Sequence, residues 1–308
     1  MGKARGYLLS RCLSVVPTLL GVTLLTFALI HLIPGDPARL IAGDDAPPEA
    51  IVDIRAAHGL DRPLHIQYLV YLQNLAHGHL GVSIRSGRPI LEEIAPRFVN
   101  TLALAVAAVL LTIAAGIPLG VLAATWRGTG LDRLGMLVAL CGIAMPVFWL
   151  GILFQIVFAV WLQWLPSGGT GGFRYMVLPA LTLGAFSMAN VARLTRASVL
   201  EILGEDFIRT ARAKGLSETA VLFRHALRNA LIPTLTFVSL QFGFLLGGAV
   251  LTETVFSYSG IGRYLVQSIF FRDYPVVQGV ILIIACSYIL VNLITDLLYT
   301  WVDPRISY

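Results

Sequence analysis

Apolar runs long enough to cross a lipid hydrocarbon core, about 20 residues each, alternate with short polar stretches along the whole chain. The pattern predicts six spans, over residues 7–33, 100–125, 134–162, 175–193, 231–251 and 277–301. The first run is longer than the 7–15 apolar residues of a secretory leader and no small-x-small site follows it, so it reads as a retained span. It stops at Pro34-Gly35-Asp36-Pro37, where two prolines and a glycine cannot continue a helix. That stop is either a plain helix end or a short lid-like loop at a pore mouth, with Asp36 as its charge. Gly116, Pro118 and Gly120 sit in the inner half of the second span and permit close helix contact. Pro146 falls in the middle of the third, and Trp161 and Trp164 lie where an interfacial aromatic belt belongs.

The fourth span is the least apolar. Ser187 and Asn190 lie inside it, which points it toward protein or a cavity rather than lipid. Gln241, Gly243, Gly247 and Gly248 mark the fifth as a packed or pore-lining helix, and Glu253 sits at its outer end. Glu253 reads either as an interfacial charge on a loop start or as part of a gate or subunit contact. In the sixth span Asn292 and Asp296 are one turn apart. Asp296 is a functional candidate by its depth or a hydrated interfacial group by its nearness to the end.

Residues 34–98 form the one sizeable non-membrane segment, with eight acidic and six basic residues. Within it Leu64 to Leu75 is amphipathic, with Tyr68, Leu72 and Leu75 on one face. It is expected to pack on the membrane part rather than to stand alone. His77 and His79 lack further ligands for a metal site. The organisation expected is residues 1–33 as tail and first span, 34–98 as an outward-facing helical segment, and 99–308 as a five-helix core.

Orientation follows from basic residues. With the N-terminus inside, the inner segments 1–11, 126–133, 193–228 and 303–308 carry 3, 2, 7 and 1 Lys or Arg, and the two short outer loops carry 1 and 2. Both ends are then cytosolic. Composition agrees: the chain is 57% hydrophobic and only 13% charged, where a soluble domain has about 25% charged residues. Its +5 net charge flanks spans and orients them, and is no signal for nucleic acid. The fold class is all-α polytopic membrane protein. Cys12, Cys141 and Cys286 lie in or beside apolar runs and show no disulfide or metal spacing.

One polar stretch breaks this apolar plan. From Glu205 to Lys214 helix formers dominate, Gly215 interrupts them, and Ser217 can cap a second helix from Glu218. Helix, glycine turn and helix are displayed at the membrane surface within the cytosolic block 193–228. The stretch is either a docking surface or an ordinary basic loop held inside by its charge. No phosphate-cradling Gly-rich loop, His-Glu-x-x-His or Gly-x-Ser-x-Gly is present, and no catalytic or metal-binding constellation is expected. Two classes survive: a pore subunit driven by a motor on another chain, and a motor-independent channel or intramembrane enzyme.

Arg209-Thr210-Ala211-x-x-x-Gly215 resembles the Glu-Ala-Ala-x-x-x-Gly loop of ABC importer permeases. Arg209 replaces the Glu, and Arg228 stands where that pattern has Pro. Both departures look like the dipeptide, oligopeptide and nickel branch, whose Arg-Thr-Ala-Arg-Ala-Lys-Gly and His-Ala-Leu-Arg-Asn-Ala-Leu-Ile-Pro match residues 209–215 and 225–233. Leu32 to Pro37, Glu253 to Gly262 and Asp303-Pro304-Arg305 look like further signatures of that branch, with Ser259 in place of Pro. Residues 37–43, 240–248 and 272–276 are most similar to its glutathione permeases.

The resemblance implies the six-helix type I importer fold in a bacterial inner membrane. It implies a second, homologous permease, two ATPase subunits that hold ATP and Mg, a solute-binding protein outside, and no cofactor on this chain. Arg209, Thr210, Ala211, Arg212, Lys214, Gly215 and Leu216 would couple to the ATPase. Asp36, Ser187, Asn190, Gln241, Glu253 and Asp296 are the pore or gate candidates. The implied cargo is a di- or tripeptide or glutathione, with a nickel chelate as the rival.

Overall fold

Helix accounts for nearly every apolar run, as lipid demands of a chain that must satisfy its backbone polar groups internally. The computed structural model describes residues 2–32, 36–42, 46–57 and 59–302. In order the elements are α1 (Gly2–Leu32), α2 (Pro37–Ala42), α3 (Pro48–Ala57), α4 (Leu64–Ala76), α5 (Ile90–Thr125), α6 (Gly130–Ala144), α7 (Val147–Phe154), α8 (Phe173–Leu203), α9 (Asp206–Ala213), α10 (Glu218–Ala220), α11 (Leu227–Val255), α12 (Ile261–Phe270) and α13 (Tyr274–Val302). Wider π-type turns continue α7 through Gln155–Trp161 and join α10 to α11 through Val221–Ala226. Pro34, Gly35 and the Asp303-Pro304-Arg305 signature lie outside the described residues.

Among the described residues four helical stretches are long and apolar enough to span a membrane: residues 90–125, 173–203, 218–247 and 274–295. Gly130–Ala144 and Val147–Trp161 pass the same test only as a pair, bent by 112°, which is the geometry of a broken span or of a re-entrant loop. Among the described residues of α1 the apolar stretch is Ser14–Ala28. The third expected span, 134–162, breaks at the proline in its middle. Pro146 has no N–H to donate and pushes the residue before it out of the helical region; Met145 is extended at φ −82° and ψ 134°. The second expected span starts ten residues early, at Ile90. The fourth runs to Leu203, past the expected end at Arg193.

Two groups of residues each form a compact unit. The first holds the chain to Asn100 together with Gly260–Leu293. Its core is Ile90, Ile94, Ile261, Val276 and Val280. Gly279 lets α13 approach α5: a Cβ there would lie 2.9 Å from Ile90 Cγ2. A tight turn carrying Gly87 at φ +67° pairs Val82 with Pro89 just before α5. Asp273 buckles that turn down, accepting from Ser83 Oγ at 2.5 Å and from the Ile84 N–H at 3.1 Å. The amphipathic α4 packs on α1 as its pattern predicts. Tyr68, Leu72 and Leu75 are half-buried, and the Tyr68 hydroxyl lies 3.0 Å from Thr23 Oγ1.

The second unit holds Thr101–Ser259 and the stretch from Ile294. Leu104, Ala108, Leu178, Leu183, Leu245, Ala249 and Phe256 fill its core. Here the expected role of the inner glycines is realised. Cβ atoms at Gly116 and Gly120 would lie 2.8 Å from Val191 Cγ1 and 2.5 Å from the Ala192 carbonyl oxygen. Only hydrogen at these positions lets α5 and α8 touch backbone to backbone.

Candidate functional site

The polar stretch after α8 folds into two short helices around a turn. Gly204 and Glu205 end α8 and start α9, with Asp206 in the first turn, where a negative charge suits the helix N-terminus. Ile208 and Ala211 point inward and join Val221 and Ala226 in a small core under Ile202 and Leu203. The opposite face of α9 is open: Arg209, Thr210, Arg212 and Lys214 are exposed. Phe207, Leu216 and Phe223 flank them as exposed apolar side chains. Charge and exposed hydrophobe on one face of an anchored helix is the composition of a docking patch.

The turn itself is a Schellman close. The Gly215 N–H donates to Arg212 O at 2.9 Å, and the Leu216 N–H reaches Ala211 O at 3.4 Å. This geometry puts Gly215 at φ +80°, a region an L side chain enters only with strain. Ser217 Oγ then accepts from the Ala220 N–H at 3.4 Å and caps α10. Across the turn, the Arg212 guanidinium grips Glu218 with both arms, at 2.8 and 3.1 Å. Arg209 pairs within its own helix with Asp206 at 3.2 Å, and Thr210 Oγ1 donates to Asp206 O at 3.1 Å. Of the seven residues predicted for coupling, six lie on the open face or turn. Ala211 alone is buried and serves to anchor.

The pore and gate candidates are scattered. Asp36 accepts from the Ala38 N–H at 3.1 Å, so it caps α2, and it pairs with Arg55. Ser187 and Gln241 come together across α8 and α11: Gln241 Nε2 donates to Ser187 Oγ at 3.1 Å. Asn190 donates to Phe186 O in its own helix at 2.9 Å. Glu253 is no exposed loop charge. It is fully buried, and Thr101 Oγ1 donates to its carboxylate at 2.5 Å. Burial and that carboxylate together push the Tyr258 phenol above its ordinary range. The side chain of Asp296 lies outside the described residues. Among the described residues no group of His, Cys, Asp and Glu is placed to hold a metal, and His77 and His79 are both exposed.

One pair escaped the sequence reading. Arg196 donates to both oxygens of the buried Asp132, at 2.7 and 2.8 Å, and Asp132 also accepts from the Gly128 N–H at 2.9 Å. This bidentate pair ties the α5–α6 turn to α8. Its partners are 64 residues apart, so neither local spacing nor charge counting reveals it. The only hint is Thr129, which N-caps α6 three residues before Asp132.

Known proteins match nearly the full length of the chain. Residues 116–308 match the family described as the binding-protein-dependent transport system inner membrane component. Residues 5–105 match the N-terminal family of the same membrane components. The glutathione transport system permease protein GsiC of Salmonella paratyphi A is 48% identical over 98% of this chain and 99% of its own. The dipeptide transport system permease protein DppB of Alkalihalophilus pseudofirmus is 44% identical over the same shares. Among solved structures, the inward-facing MetNI methionine ABC transporter superposes with a TM-score of 0.59 over 69% of this chain and 97% of that one. At 20% identity that likeness bears on the fold alone.

Proposed function

The chain belongs to the binding-protein-dependent transport system inner membrane components, and on that premise we propose that it imports di- or tripeptides, glutathione among them, driven by ATP hydrolysed on other subunits. As a permease subunit of an ABC importer in the bacterial inner membrane it does no bond chemistry itself. Its partners in this reading are a second, homologous permease, two ATPase subunits that carry ATP and Mg, and a solute-binding protein that delivers the cargo outside. The single observation that supports the drive from outside the chain is the exposed face of α9 beside the Gly215 turn. A small core anchors that helix from behind, so a push on it is transmitted to α8 and α11 rather than absorbed by a loose loop.

The cargo reading rests on near full-length kinship with glutathione and dipeptide permeases. A strain lacking the gene is assayed for uptake of labelled glutathione, a dipeptide and nickel, with and without the gene restored. Restored peptide or glutathione uptake is the expected result. Unchanged peptide uptake with lost nickel uptake overturns it in favour of a nickel chelate.

A further inference from the structure

A pocket lies in the first unit, on the outward segment and away from the coupling and gate candidates. It is a cavity of about 420 Å³ between α1, the α3–α4 turn, α4 and the start of α13. Ligand pockets start at roughly 300 Å³, so this one suits a molecule the size of an amino acid derivative or short peptide. Phe27, Leu60 and Val70 give it apolar walls, and among the described residues no Asp or Glu lines it.

Arginine, tyrosine and amide side chains supply donors to it. Arg62 and Asn74 reach the pocket with side chains that make no hydrogen bond or ion pair among the described residues. The buried Tyr71 hydroxyl makes no hydrogen bond of good geometry there; the Thr26 hydroxyl, which donates its proton toward the Val22 and Thr23 carbonyls at 3.0 and 3.1 Å, is the side-chain group beside it that can still accept. His31 is held between two oxygens, Phe27 O at 2.9 Å and Gln67 Oε1 at 3.3 Å. The Gln67 amide is fixed in that sense because its nitrogen donates to Leu60 O and Arg62 O at 3.2 and 2.7 Å. A guanidinium and a phenol facing a half-apolar cavity without an acid are the inverse image of a carboxylate with an apolar substituent. A buried donor left unpaired is the kind of group that a ligand or water completes.

We propose that this pocket binds a small organic carboxylate, its acid group held by Arg62 and Tyr71 and its apolar part against Phe27, Leu60 and Val70. The proposal stands apart from the import reading, since it needs neither an ATPase nor a cargo. It is tested by calorimetric titration of the full chain in neutral-lipid nanodiscs with N-acetyl-leucine, its uncharged amide N-acetyl-leucinamide, and inorganic phosphate. Saturable binding of the acid is expected, at least tenfold weaker for the amide. Tyr71→Phe, which keeps the ring stacked on Phe27 at 6.2 Å, and Arg62→Gln each weaken the acid at least tenfold, with unchanged thermal unfolding. Equal binding of acid and amide overturns the proposal, as does absence of saturable binding. Phosphate that binds as tightly as the acid overturns it in favour of a plain anion or lipid-headgroup site. Should Tyr71→Phe fail to fold, Arg62→Gln decides alone: undiminished binding refutes.

Discussion

Gly215→Val isolates the turn from everything around it. A Cβ at Gly215 meets no atom within 4 Å, so the substitution brings no clash inside the chain. What it meets is φ +80°. Left-handed backbone costs a residue with a Cβ about 1–2 kcal/mol, and a β-branched side chain stands at the costly end. Measured against a folding stability of about 5–15 kcal/mol, that leaves insertion and folding intact. Measured against a local two-state turn, it lowers the closed population roughly 5- to 30-fold. If the ATPase binds only the closed turn, its apparent affinity falls by the same factor. The assay is pull-down of the ATPase subunits from membranes, beside glutathione uptake. Gly215→Asn tolerates the left-handed region better and should lose less than Gly215→Val in both readouts. Normal uptake by Gly215→Val would remove the coupling role. Equal losses for Asn and Val would shift the cause from backbone strain to side-chain bulk.

Two further outcomes follow from geometry. Arg212→Glu sets two carboxylates across the turn and should weaken ATPase association most at low salt; the exchange Arg212→Glu with Glu218→Arg should recover much of it, and no recovery would mean that Arg212 meets the motor directly. Gly120→Val would drive a Cβ to 2.5 Å from the Ala192 carbonyl oxygen, so α5 and α8 must part; the expected readout is reduced membrane yield and a lowered unfolding temperature, while Gly128→Val, at an open turn with no atom within 4 Å, serves as the comparison for strain alone.

Local chemistry was legible in the sequence wherever its cause was local. The Gly215 turn, the Ser217 cap and the α4 face each follow from residues within a few positions, and all stand where their pattern puts them. Gly116 and Gly120 were legible as contact residues because small side chains at helical spacing have few other uses in a span. What was not legible depended on distant partners. Glu253 looks like a loop charge until Thr101, 152 residues away, is seen donating to it. Ser187 and Gln241 each look pore-facing until they are found bonded to one another. Span ends misled too: Arg193 looks like a stop signal, yet α8 runs on to Leu203, with Arg196 paired to Asp132 within it.

The break at Met145-Pro146 has a consequence for solvent. The N-cap of α7 offers no side-chain hydrogen bond, and Pro146 itself has no proton to give. The first N–H groups of α7 are thus left without the partners that an unbroken helix supplies. Hydrocarbon charges several kcal/mol for each such group, so this depth of the chain is incompatible with acyl chains around its full circumference. The break acts as a marker of wetness: wherever the bilayer closes on this protein, water or another subunit's polar atoms must stand at Pro146. Deuterium exchange at the amides of Val147 and Phe148 would therefore run fast, in a span whose neighbours exchange slowly.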